Sequence, residues 1–152
     1  MLTIVAAEPN DAIALAELID ELDRFYGATE FTPCEERVKE IQAIVFREHP
    51  AAYVLLARDH SQVVGFAAYS YLWPAVGLTQ SLYLKELYVR EDSRRKGVGK
   101  LLMNRLLEIA VANGCSRVEW AADSDNPLAL GFYRKLGYQE SHGKVLFRVG
   151  LD

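Results

Sequence analysis

The order of patterns along the chain predicts a mixed α/β domain: two helices, an antiparallel set of strands, then strand–helix–strand–helix. Three observations carry this. In the first third, apolar residues recur at helical spacing, with Leu15, Leu18, Ile19 and Leu22 the clearest set. The period then changes, and YVLLAR (53–58), VVGFAAYSY (63–71) and SLYLKELYV (81–89) read as strands. A helical run from about Val98 to Ala112 follows, carrying Leu102, Leu106 and Ile109 on one face. At 152 residues the chain suits one domain with a sizeable core, so 1–152 is read as a single domain.

Each element has its own local signals. Leu2 to Ala6 is a short apolar strand, and Asn10 with Asp11 supplies cap chemistry for the first helix. Gly27 breaks that helix, and GATEF links it to the next. There Thr32 offers a hydroxyl cap, Pro33 fits the first helical position and Glu35 completes a capping box. Val38, Ile41 and Val45 carry the second helix on until His49 and Pro50. Asp59 to Gln62 is a turn, which makes the next two strands a hairpin. After the long helix, Asn113 and Gly114 provide a stop. SRVEWAA (116–122) is a strand, and Asn126 with Pro127 starts a helix that ends at Leu136 and Gly137. A last strand pair, Tyr138 to Ser141 and Val145 to Val149, flanks His142 and Gly143.

Composition excludes several classes. Hydrophobic residues make up 51% and charged ones 25%, as in ordinary globular proteins. A net charge of −4 argues against general nucleic-acid binding, and no apolar run approaches a membrane span. The start, MLTIVAAEPND, lacks a basic n-region, so no signal peptide is expected. Cys34 and Cys115 are too few for a disulfide framework and lack metal-site spacing, which points to a cytoplasmic protein without a metal. His49, His60 and His142 lie beside turns or element ends and are given no chemistry. Charge is uneven: residues 1–48 carry eleven acidic against four basic side chains, and the remainder ten against thirteen. The two parts could serve ligands of opposite sign, or helical outer faces could simply be acidic.

The stretch VREDSRRKGVGKLL (89–102) gathers cations and removes side chains where a strand hands over to a helix. A Walker loop fails, because Gly97 and Gly99 are two apart and Lys100 precedes Leu101. A dinucleotide fingerprint fails too, with Leu102 where its third glycine belongs and too long a gap from Val89 to Gly97. What fits is R-x-x-G-x-G, from Arg94, Gly97 and Gly99, at a helix start. Unpaired backbone N–H groups and the helix dipole favour an anion there, and glycines let it approach the backbone. Arg94, Arg95 and Lys96 add charge. A solvated basic turn is the plainer alternative.

Together with SLYLKELYV, SRVEWAA and NPLALGFYRKLGY, this stretch resembles the GNAT superfamily of acyl-CoA-dependent N-acetyltransferases, strongly over residues 81–138. Within it the chain is most similar to the diamine and spermidine/spermine acetyltransferase branch, through EHPAAYVLLA, VVGFAAYSY, LYLKELYVRED and NPLALGFYRKLGY. The resemblance implies a GNAT fold: a mostly antiparallel sheet of about seven strands flanked by about four helices. It implies acetyl-CoA as cofactor, with the pyrophosphate in the loop Arg94, Arg95, Lys96, Gly97, Val98, Gly99 and Lys100. It also implies a homodimer, to which the last strands could contribute. One departure stands out: where that branch usually has two adjacent acidic residues, this chain has Lys85 and Glu86. A lysine facing the amine pocket would repel a polyamine's second ammonium.

Transfer needs an uncharged amine, whereas an aliphatic ammonium has a pKa near ~10.4. Glu86 is the candidate base, directly or through water; it could instead only bind the substrate cation or point to solvent. By resemblance, backbone N–H groups around Leu87, Tyr88 and Val89 donate to the developing oxyanion and pair with the pantetheine arm. Tyr133 stands where the family has its general acid, although Phe132, Tyr133 and Leu136 also form an apolar helical stripe. Asn126 stands where the family contacts the cofactor, and is equally an ordinary N-cap before Pro127. Tyr26, Glu30 and Phe31, with Lys85 and Glu86, are candidate lining of the amine pocket. The expected function is acetyl transfer from acetyl-CoA to a primary amine of a small cationic molecule: a diamine, a polyamine or a lysine-like amino acid. The rivals are acetylation of a protein lysine or N-terminus, and a non-catalytic acyl-CoA sensor that would need neither Glu86 nor Tyr133.

Overall fold

A computed structural model describes residues 1–151. They fall into two compact units, Met1–Ala121 and the segment from Ala122 onward. In the first unit, β1 (Leu2–Ala6), β2 (Tyr53–Asp59), β3 (Gln62–Leu72), β4 (Ser81–Val89) and β5 (Arg117–Trp120) form one sheet in that order. The first four are antiparallel neighbours, whereas β5 joins β4 in parallel. That switch needs a crossover, and α3 (Val98–Ala112) supplies it.

Two helices cover one face of the sheet. Leu15, Leu18 and Leu22 of α1 (Ala12–Phe25) pack with Val54, Leu56, Val63, Phe66 and Tyr88, and Ile41 of α2 (Cys34–Ile44) joins them. Strand alternation sends Leu55, Ala57 and Ala67 to the other face, where Leu102, Met103 and Leu106 of α3 are fully buried. Each such side chain contributes roughly 1.5–3 kcal/mol through burial. Gly65 lets β4 come close to β3: an added Cβ would lie 2.8 Å from the Tyr88 carbonyl oxygen.

A bulge in β4 decides which way its side chains point. Ala68 pairs with Glu86 and Tyr69 with Leu84, so Lys85 is left without a partner and lies exposed. The extra residue breaks the period of two. Leu84 therefore shares the α3 face with Tyr69, while Glu86 shares the α1 face with Ala68, Phe66 and Tyr88.

The second unit holds α4 (Pro127–Lys135), begun as its sequence indicates. Asn126 Oδ1 accepts a hydrogen bond from the Ala129 amide at 3.2 Å, and Pro127 occupies the first turn. No described helix is long and apolar enough to cross a membrane.

Several expectations need correction. Among the described residues the sheet has five strands, not about seven, because Tyr138–Ser141 and Val145–Val149 are not strands. An alternating pattern makes a strand only where a ladder partner exists. None exists for these among the described residues, and Val145, Leu146, Phe147 and Val149 lie exposed. The strand expected over 116–122 is confined to Arg117–Trp120. The second helix starts one residue later than its cap signals suggest: Pro33, at φ −53° and ψ 143°, is its N-cap, no side chain caps it, and it ends at Ile44 rather than near His49. Before α1, Asn10 and Asp11 lie in a short 3-10 turn. There Asp11 accepts a hydrogen bond from the Glu8 amide at 2.8 Å and pairs with Arg58 rather than capping the helix.

Candidate functional site

The C-terminal half of β4 is open on one side. Its ladder with β5 runs only from Ser81–Arg117 to Leu84–Trp120. From Glu86 to Val89 the backbone is paired with β3 but has no strand partner on the β5 side among the described residues. An extended ligand with amide groups could pair there as a strand would.

That open edge leads into the basic stretch. Glu91–Ser93 makes a short 3-10 turn, and Ser93 is buried. Arg94 then turns back: its Nε donates to the Val89 carbonyl at 2.9 Å, and its guanidinium sits over the rings of Phe25 (5.3 Å) and Tyr88 (5.7 Å). Arg95 holds φ +65° and Gly97, the N-cap of α3, φ +81°. The first is strained for a side chain with a Cβ, and such strain persists where the surroundings enforce it. No side chain caps α3, and its first internal bond runs from the Leu101 amide to Gly97. The amides of Val98, Gly99 and Lys100 thus lack partners within the helix. Val98 and Gly99 are buried, while Arg95, Lys96 and Lys100 are exposed around them. An uncapped helix start ringed by cations has the free donors and the dipole field that favour an anion.

On the α1 face of the same strand end lies a cavity of about 610 Å³, lined by Glu21, Arg24, Phe25, Tyr88, Arg90, Glu91, Asp92 and Arg94. This size suits a small molecule. The Tyr88 hydroxyl donates to Glu21 Oε2 at 3.3 Å. Burial, then the Glu21 carboxylate beside it, push the phenol above its ordinary pKa, so it keeps its proton. Arg90 Nε lies 3.3 Å from Glu21 Oε1, and its Nη2 4.0 Å from Glu17 Oε2. Glu86, partly buried, stands two residues before Tyr88 on this face. Successive side chains on one face lie about 6–7 Å apart.

The predicted site residues are distributed as follows. Glu86, Leu87, Tyr88 and Val89 sit on the open half of β4, and the loop from Arg94 to Lys100 continues from it. Arg94 is committed to the Val89 carbonyl at the end of β4 and to two rings, so it shapes the turn. Tyr26 is the C-cap of α1, edge-to-face with Phe25 at 5.3 Å, and Phe31 lies 3.9 Å beneath the Arg24 guanidinium. Tyr26, Glu30, Phe31 and Lys85 do not line the cavity. In the second unit, Tyr133 is partly buried on α4 with its ring 5.0 Å from Phe132, and Asn126 caps that helix. Sequence reasoning missed Glu21, Arg24, Phe25, Arg90, Glu91 and Asp92. The available signal was Glu17, Glu21 and Arg24 at helical spacing, which reads equally as a solvated face.

Residues 15–138 match the model of the acetyltransferase (GNAT) family. The chain belongs to this family. It is accordingly an N-acetyltransferase, and the family's acetyl donor is acetyl-CoA. Among curated relatives, a thialysine N-epsilon-acetyltransferase of Mus musculus is 28% identical over 93% of this chain and 88% of its own length. An L-ornithine N5-acetyltransferase of Arabidopsis thaliana is 38% identical over 51% of this chain, which spans only 34% of that protein. A solved integron cassette protein from the mobile metagenome of V. cholerae superposes with a TM-score of 0.91 at 31% identity, covering 99% of this chain and 93% of the other.

Proposed function

We propose that the chain transfers an acetyl group from acetyl-CoA directly to a primary amine of a small cationic substrate: a diamine, a polyamine or a lysine-like amino acid. The observation that carries this is the run of open β4 edge into the uncapped start of α3. The residues present fit the cofactor. The edge from Leu87 to Val89 suits the amides of a pantetheine arm, and the amides of Val98, Gly99 and Lys100, with Arg95 and Lys96, suit a diphosphate. When bound, acetyl-CoA supplies the reactive thioester. Glu86 Oε takes the proton from the substrate ammonium, directly or through water. Backbone N–H groups of Leu87 to Val89 donate to the acetyl carbonyl oxygen, a contribution worth about 3 kcal/mol in comparable sites. The Tyr133 hydroxyl hands its proton to the departing sulfur, and Asn126 adds a contact to the cofactor.

The relatives named for thialysine and ornithine support a small amine as acceptor. Lys85 is exposed at the bulge and lies outside the cavity lining, so it adds no cation to the cavity itself. A homodimer joined through the C-terminal stretch would cover Val145, Leu146, Phe147 and Val149. Two free thiols, Cys34 and Cys115, suit a reducing, cytoplasmic setting. The test is thiol release from acetyl-CoA by the purified protein with putrescine, spermidine, lysine, thialysine and a lysine-bearing peptide. Turnover of a small amine is expected. Turnover of the peptide alone would replace this reading with protein acetylation, and tight CoA binding with no turnover would replace it with a sensor.

A further inference from the structure

Of the residues lining the cavity beside β4, only Tyr88 is more than nine-tenths buried. Its ring is set by Phe66, with centroids 6.4 Å apart, and by the Arg94 guanidinium at 5.7 Å. A phenol has one proton to donate and two lone pairs that accept. The proton is spent on Glu21 Oε2 at 3.3 Å, and among the described residues nothing donates to the oxygen in return. Glu21 lines the same cavity, so the polar end of the phenol stands at its wall. Unused lone pairs at such a wall suit a ligand that brings the donor.

Glu21 is itself held from two directions. Arg90 Nε lies 3.3 Å from its other oxygen, Oε1. That nitrogen is sealed from solvent and makes no hydrogen bond, so charge rather than alignment ties Arg90 to Glu21. A sealed N–H cannot meet a ligand, yet its charge still anchors the carboxylate. With Oε1 facing Arg90, Oε2 is left to the Tyr88 proton. The hydroxyl cannot turn to donate into the cavity without giving up a charge-assisted bond. Toward the cavity, Tyr88 is therefore an acceptor alone. It suits N–H groups and disfavours carbonyl and carboxylate oxygens, whose lone pairs would face its own.

We infer that Tyr88 is a specificity-determining residue for the acetyl acceptor: a nitrogen that is not acetylated donates an N–H to its hydroxyl oxygen. Glu21 is the positioning residue that fixes the hydroxyl's direction. The hydroxyl reaches to α1, away from the β4 edge proposed for the thioester, so the nitrogen it meets is not the reacting one. This inference rests on the acetyl-transfer reading above.

The test uses two pairs of acceptors, putrescine with N,N,N-trimethylputrescine and lysine with Nα-trimethyl-lysine. Each pair keeps a primary amine and the positive charge, and differs in the N–H groups of the other nitrogen. The readout is the ratio of kcat/KM within whichever pair is turned over, from thiol release by the full chain. Such a ratio does not depend on the fraction of enzyme that is folded. Tyr88→Phe keeps the ring and should lower the ratio by about ten- to a hundred-fold, the range for a hydrogen bond to a charged group. The bulk of the methyl groups is common to both enzymes and cancels. Glu21→Ala should lower the ratio by a smaller factor, because the freed hydroxyl can turn. A merely structural tie between α1 and β4 would slow both members of a pair alike. A ratio kept in Y88F would overturn the inference while leaving acetyl transfer standing, and one kept in E21A would overturn the role of Glu21. Silence with every amine would overturn both readings.

Discussion

The two sides of the β4 terminus are built from different materials. On the side proposed for the acetyl donor lie a strand edge unpaired among the described residues, an uncapped helix start and positive φ at Arg95 and Gly97, all properties of the backbone. On the side proposed for the amine lies a cavity whose character comes from side chains of α1 and of the stretch after β4, wired together by Glu21, Tyr88 and Arg90. Backbone donors bind what never varies in a reaction, whereas side chains can change with the substrate. Substitutions on the donor side should therefore move cofactor affinity for every amine, and those on the acceptor side should move discrimination between amines.

The largest effect is expected at the junction of the two sides. Glu86→Gln should lower kcat/KM by about a hundred-fold or more while CoA affinity stays near wild type, since loss of a positioned base removes that much rate. Stopped-flow thiol release with parallel calorimetry of CoA binding would check this; an unchanged rate would leave Glu86 no proton to move. Tyr133→Phe should reduce turnover about tenfold or more, again with CoA affinity kept. A wild-type rate would remove the acid role. On the donor side, Gly97→Val places a β-branched residue at φ +81°. With strain of about 1–3 kcal/mol, CoA should bind roughly ten-fold more weakly for all acceptors alike. A loss confined to one amine would break the division between the sides.

The smallest effect is one of stability, in the sheet beyond the bulge. Burial, then the neighbouring Tyr71 and Tyr53, push the Tyr69 phenol from the ordinary 10 to about 12. Between those values the unfolded chain gives up the proton and the folded chain keeps it, so stability is full below about pH 10 and falls as the pH climbs toward 12. The loss should be on the order of 2 kcal/mol. Denaturant unfolding of wild type and Tyr69→Phe across that range would show the difference, and parallel curves would contradict it.

Legibility followed the same division. The hairpin, β4 and α3 stood in the sequence almost to the residue, because period, turn residues and glycines report the backbone directly. The Asn126–Pro127 helix start was equally plain, and its cap bond is present. Thr32 and Glu35 also carried a cap signal, but Pro33 at ψ 143° leaves the helix to begin after it. Strand patterns past Tyr138 could not reveal whether a partner existed. The bulge was invisible as well, because SLYLKELYV reads as one unbroken strand while pairing with β3 skips Lys85. The acceptor cavity was least legible of all. Glu21 and Arg24 lie nearly seventy positions before Arg90 and Arg94, and only the packing of α1 against β4 brings them together.

The most direct test of a backbone-built donor side is amide hydrogen exchange across residues 85–101, with and without CoA. The structure predicts slowed exchange at the open edge from Leu87 to Val89 and at Val98 to Lys100, with little change in α1. Saturating CoA that leaves both stretches unprotected would contradict it, and would place the cofactor elsewhere.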